Sequence, residues 1–142
     1  CLDRMREHHV GIVVRDIEEG RTVFGRLGYR PCGEMVEDLE QHNRILFMEN
    51  GLDCRKIELI TPMDDASTVR NARHGIHHIC YEVDEGFLNG FKPLKIGRML
   101  PRRYMAPALG GRQVVFASLR GGLFVEFLID KDGCNDYGHG MP

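Results

Sequence analysis

Two histidines and two glutamates recur in this chain at one spacing. His9 stands 49 residues before Glu58, and His77 stands 49 residues before Glu126 (58 − 9 and 126 − 77). His9 belongs to EHHVGIVVRD (Glu7 to Asp16) and His77 to GIHHICYEVD (Gly75 to Asp84), so each heads an apolar, strand-like run beside a second histidine. Glu58 lies between Ile57 and Leu59, and Glu126 between Val125 and Phe127. A carboxylate inside such a run is costly unless it is paired or bound to a cation. If each half of the chain contributes one histidine and one glutamate to a shared cleft, the four make a site for one divalent ion. Nitrogen and oxygen donors without thiolate suit Ni²⁺, Co²⁺, Mn²⁺ or Zn²⁺. Four protein ligands on a six-coordinate ion leave two adjacent positions, for waters or for the two oxygens of a chelating substrate. Alternation along a strand sends His8 and His78 to the opposite faces, where they are expected to serve packing. His42, His74 and His139 have no counterpart in the repeat and are read as solvated loop residues.

The elements that must position these residues also come twice. With His9 laid over His77, an offset of 68 (77 − 9), HVGIVVRD falls on HHICYEVD, Asp16 on Asp84, Arg44 on Arg112 and Glu58 on Glu126. Each copy reads as a strand, a helix and three further strands, an α+β pattern. In the first copy, His8 to Val14 alternates as a strand. The stretch Asp16 to Gly28 has helical spacing at Ile17, Val23, Phe24 and Leu27, with Asp16 able to cap it and Gly28 to stop it. YRPCGEMVED, NRILFME and CRKIELIT are the remaining strands. The second copy gives strands at Ile76 to Val83, Arg98 to Leu100 (weak), Gln113 to Ser118 and Leu123 to Ile129, with a helix near Glu85 to Phe91. The polar stretch Thr61 to Gly75 links the copies, with a short helix starting at Ser67; Pro107 to Gly111 is a turn. One domain over 1–142 is expected, its modules at about 7–62 and 75–130, with a flexible tail at 131–142.

Composition narrows the partners. The chain has 142 residues, 42% of them hydrophobic, enough for one domain with a core. A net charge of −2 gives no general attraction to nucleic acid or to acidic membranes. No apolar run is long enough to span a bilayer, and no signal-peptide pattern is visible. Five cysteines, none in a CxxC pair, suggest neither a disulfide framework nor a zinc knot. Cys54 and Cys80 read as reduced core residues, and a cytoplasmic location is expected.

The blocks HVGIVVRDIEEG, KIELITPMDDASTV, GIHHICYEVD and GGRQVVF…GGLFVEFL resemble those of the vicinal oxygen chelate superfamily, which includes glyoxalase I, extradiol dioxygenases and bleomycin-resistance proteins. Within it they look most like those of the methylmalonyl-CoA epimerases, over about Glu7 to Ile129. The resemblance implies two βαβββ modules that curl a mixed sheet around a metal cleft, with His9, Glu58, His77 and Glu126 at the ligand positions. It implies a divalent-metal-dependent isomerase that abstracts a proton next to a carbonyl, Glu126 acting as the base. Epimerases of this type can have glutamine where Glu58 stands, and bacterial glyoxalase I has glutamate there. A glyoxalase I-type lyase is therefore one alternative, and a non-catalytic binding or resistance protein another. An extradiol dioxygenase fits less well, because its iron takes two histidines and one carboxylate. Several epimerases carry a catalytic glutamate in the third strand of the first module. In EQHNRIL the matching position is Ile45, so the second acid/base group is missing, and His42 and Tyr104 are the candidates to replace it. The implied partners are a small molecule (an acyl-CoA or a glutathione adduct) and a second copy of the chain, without nucleic acid or membrane.

Overall fold

The computed structural model describes residues 5–130, so the proposed tail at 131–142, with Cys134 and His139, lies outside the described residues, as does Cys1. Nine strands form one mixed sheet with helices on its outer face. The first module holds β1 (Arg6–Val13), α1 (Ile17–Arg26), β2 (Tyr29–Pro31), β3 (Val36–Asp38), β4 (Asn43–Asn50) and β5 (Lys56–Pro62). The second holds β6 (Gly75–Val83), α2 (Glu85–Asn89), β7 (Gly97–Ala106), β8 (Arg112–Leu119) and β9 (Leu123–Ile129). The strand order is β2-β4-β5-β1-β6-β9-β8-β7, with β3 also pairing with β4. β1 runs parallel to β5 and β6 parallel to β9, whereas β1 and β6 meet antiparallel at the centre. The two modules are thus related by a pseudo-twofold axis between their first strands.

Side-chain alternation separates the two faces. In the first module Leu46, Met48, Ile57 and Leu59 pack under Ile17 of α1. In the second, Val115, Ala117, Val125, Phe127 and Ile129 pack with Leu88 of α2 and Phe91. The residues between them, Ile45 and Phe47, Glu58 and Ile60, Val114 and Phe116, Glu126 and Leu128, must face the other way, into the cleft. Asp16 and Asp84 cap the two helices through their side chains.

Four local expectations need correction. YRPCGEMVED is two short strands, because the chain bends between Pro31 and Val36. β7 spans ten residues, and its register is shifted between Met99 and Arg103, where Pro101 cannot donate to the ladder. The linker has turns and no helix at Ser67; Ser67 instead accepts from the Val69 backbone N–H and donates to Asn43. Cys54 is exposed, at a φ of 61°, in the turn before β5. Cys32, Cys54 and Cys80 are free thiols.

Candidate metal centre

His9, Glu58, His78 and Glu126 converge on one point, all four buried, with donor atoms within 4.8 Å of one another. His9 Nε2 lies 3.4 Å from Glu58 Oε1 and 3.2 Å from Glu126 Oε1. His78 Nε2 repeats those two distances, 3.4 and 3.2 Å. The expectation of His77 in this set is wrong; His78, read as a packing residue, takes its place.

The reason is a pair of β-bulges. In the β1–β6 register Glu7 faces Tyr81 and His9 faces Cys80, so His8 is an extra residue. Gly11 faces His78 and Ile12 faces Ile76, so His77 is an extra residue in the other strand. A bulge breaks alternation and re-aims side chains. His8 and His9 both approach the cleft-facing Phe47, with ring centroids 6.3 and 4.9 Å from it. His77 and His78 both line the hollow that also holds Glu58 and Glu126. The true offset between ligand histidines is 69 (78 − 9), whereas the glutamates and helix caps keep 68. The one-residue difference falls between the histidine and the helix cap: Asp16 is seven positions after His9 (16 − 9), and Asp84 six after His78 (84 − 78).

Sequence reasoning also missed Gly11. A Cβ there would sit 2.2 Å from Cε1 of the His78 ring. A glycine facing a histidine across the central pair is the signal that was available. The pseudo-equivalent neighbour of His9 is Cys80, which is fully buried. Burial and then the Glu126 charge push its thiol well up, so it stays a neutral packing group. His8, His9 and Cys80 also cluster, but this trio shares His9 with the main site and makes no second centre.

Burial disfavours a charged imidazole at His9 and His78, but the charges of Glu58 and Glu126 prevail. His9 is raised above the ordinary value and His78 is pushed up to about 10. Burial likewise acts to raise Glu58 and Glu126, yet the facing histidines hold both carboxyls below the usual range. The facing carboxylates thus favour the protonated form of both histidines in the metal-free protein. The donor set fits a divalent cation. His9 Nε2, His78 Nε2 and Glu126 Oε1 are buried and have no hydrogen-bond partner. Donors held about 2.1 Å from one ion stand about 3 Å apart when adjacent, close to the 3.2 and 3.4 Å separations. The hollow beside them, about 20 Å³, has room for one ion or one water.

Two larger chambers flank the hollow. One, about 290 Å³, is lined by His8, Ile45, Phe47, Lys56 and Leu109; the other, about 390 Å³, by His77, Gln41, Arg102, Tyr104 and Phe116. Ile45 is buried and lines both the hollow and the first chamber, so the cleft has an aliphatic side chain there. Of the two substitutes considered, Tyr104 lines the second chamber with the Arg102 guanidinium 4.6 Å from its ring centre. His42 instead contacts the Asp64 carboxylate at 3.2 Å, half-exposed. Glu40 accepts from the Met105 backbone N–H at 2.7 Å, which ties the loop before β4 to β7. Asn43 donates to Thr68, and Thr68 to Gln41, pinning the inter-module linker over the cleft.

A mixed sheet of two βαβββ halves with buried histidine and carboxylate donors at their junction defines a class of protein. Residues 8–90 match the family model of the Glyoxalase/Bleomycin resistance protein/Dioxygenase superfamily, and the chain belongs to that superfamily. It is 32% identical over 83 residues to the mitochondrial methylmalonyl-CoA epimerase of Dictyostelium discoideum, a match covering 55% of this chain and 49% of that protein. It is 31% identical over 85 residues to the ethylmalonyl-CoA/methylmalonyl-CoA epimerase of Cereibacter sphaeroides, covering 56% and 62%. These matches span roughly half to three fifths of the relatives' lengths. The crystal structure of methylmalonyl-CoA epimerase from Mycobacterium tuberculosis shares the fold, with a TM-score of 0.74 over 87% of this chain and 86% of that one at 18% identity.

Proposed function

We propose that this chain is a divalent-metal-dependent isomerase of the methylmalonyl-CoA epimerase kind. Its substrate is an acyl-CoA whose α-carbon also carries a carboxylate. The observation that carries this reading is the set of four buried donors at the base of an open cleft, three of their atoms without a hydrogen-bond partner. The names of the relatives supply the substrate class. His9, Glu58, His78 and Glu126 would hold the ion, and Ni²⁺, Co²⁺, Mn²⁺ and Zn²⁺ all suit these donors. A bound ion would supply positive charge beside the substrate carbonyl, where negative charge develops as the α-proton leaves.

The chain's own residues do the rest. Phe47 and Phe116 pack edge-on against His9 and His78 and wall the site with apolar surface. Lys56 in one chamber and Arg102 in the other offer positive charge to the substrate's acidic groups. Glu126 takes the α-proton; the C–H bond breaks and its electron pair moves toward the carbonyl oxygen. Inversion then requires a proton on the opposite face. Glu58 is the other carboxylate lining the hollow, related to Glu126 by the pseudo-twofold axis, and we assign it that delivery: it enters the step as the carboxylic acid with a proton taken from solvent, gives that proton to the α-carbon as the electron pair returns from the carbonyl oxygen, and is left as the carboxylate.

A carboxylate at Glu58 also favours a second reading, a glyoxalase I-type lyase. The two separate in one comparison. Metal-loaded protein in D₂O is expected to exchange the α-proton of methylmalonyl-CoA and to leave the hemithioacetal of methylglyoxal and glutathione unchanged. Turnover of the hemithioacetal without exchange would place the lyase first; turnover of neither would place a binding role first. We propose in addition a homodimer, since β2 and β7 end the sheet and offer open edges. Light scattering at the mass of one chain would contradict it.

A further inference from the structure

His8 and His77 stand outside the four-donor set, yet they occupy equivalent places in the two modules. His8 Nδ1 lies 2.8 Å from His9 Nδ1, and His77 Nδ1 lies 2.9 Å from His78 Nδ1. Both pairs are edge-to-face, with centroids 5.0 and 5.1 Å apart and interplanar angles of 82° and 86°. Each outer histidine is the extra residue of its bulge. The bulges therefore do more than re-aim the ligand: they bring a second ring to the same side and join the two through their Nδ1 atoms.

We propose that His8 and His77 are positioning residues, each accepting a hydrogen bond from Nδ1–H of the adjacent ligand histidine so that its Nε2 lone pair faces the metal. The inference rests on the metal reading above. Two neutral rings that share an Nδ1···Nδ1 contact hold one proton between them. With the proton on His9 and His78, their Nε2 atoms are free to bind a cation. With it on His8 and His77, the ligand rings carry their proton on Nε2, pointing into the site, and cannot bind. Acceptance by the outer rings selects the first arrangement, the task usually given to a carboxylate or carbonyl beside a metal-bound histidine.

Leucine at either position removes the acceptor; asparagine restores one, because its Oδ1 stands where the histidine Nδ1 stood. Loss of such a partner usually weakens metal binding about 10–100-fold. Co²⁺ affinity, measured by chelator competition, is expected to fall by that factor in His8→Leu and His77→Leu and to recover largely in His8→Asn and His77→Asn. Nitrogen-15 NMR of the wild type with Zn²⁺ is expected to show His8 and His77 protonated on Nε2, and His9 and His78 on Nδ1. Unchanged Co²⁺ affinity in the leucine variants, or Nδ1 protonation at His8 and His77, would overturn the proposal while leaving the metal site standing. The NMR measurement decides if a leucine variant fails to fold. A wild type that takes up neither ion would overturn the metal reading, and this inference with it.

Discussion

The candidate metal centre is assembled from side chains whose chemistry was legible and whose direction was only partly so. Glu58 and Glu126 were found because a carboxylate flanked by two apolar residues on a buried strand demands a partner, and both are buried at the hollow. His9 was found by its repeat spacing. His78 was not, because the 68-residue offset kept by the glutamates and helix caps falls on His77, and regular alternation then sends His78 to the other face. With Ile45 in the cleft, Glu58 is the proposed acid for the second face of the substrate. Glu58→Gln keeps an oxygen donor and removes the proton carrier. It is expected to retain bound metal and one-face α-proton exchange but to lose epimerisation about 10²–10⁴-fold. Chiral analysis of the methylmalonyl-CoA beside a deuterium count checks this; equal loss of exchange and inversion would show that Glu58 is no separate acid.

At the scale of the element, the central β1–β6 pair does the positioning. Both bulges lie in it, and neither carries a sequence mark beyond the doubled histidines themselves. The outer elements were easier to read. Asp16 and Asp84 announce the helices, and alternation in β5, β8 and β9 assigns the faces, because one face packs under helices and the other lines the cleft. β7 was harder: Pro101, Arg102 and Arg103 interrupt its apolar pattern, and its length comes from pairing with β8. In the central pair the His78 ring fills the space that a Cβ at Gly11 would need. Gly11→Ala is expected to push that ring aside and to weaken metal binding at least tenfold, with less effect on the metal-free fold. Calorimetric titration with Ni²⁺ beside thermal unfolding checks it; an unchanged affinity would mean that the ring does not need this space.

At the scale of the whole molecule, two modules share one charge problem at their junction. The signs of its pH dependence follow from the shifts. His9 and His78 are raised, so in metal-free protein their charged forms add stability that is fully present below the unfolded histidine value, about 6.5, and is lost as pH rises through the folded value, about 10 for His78. Glu58 and Glu126 are depressed, so their contribution is present above the unfolded glutamate value and is lost on acidification through the folded values. In the proposed metal-bound form a cation would replace the histidine protons. Metal uptake at neutral pH is therefore expected to release about two protons per chain. Titration in two buffers of different ionisation enthalpy measures that number; release of none would mean that His9 and His78 enter the site already neutral.

The central claim is that His9, Glu58, His78 and Glu126 hold one ion. Equilibrium dialysis of the wild type, His77→Ala and His78→Ala against Co²⁺, with metal and protein quantified together, tests it most directly. The account predicts about one ion per chain in the wild type, one more weakly held ion in His77→Ala, and no stoichiometric ion in a folded His78→Ala. Full, tight occupancy in His78→Ala, with loss in His77→Ala, would contradict it.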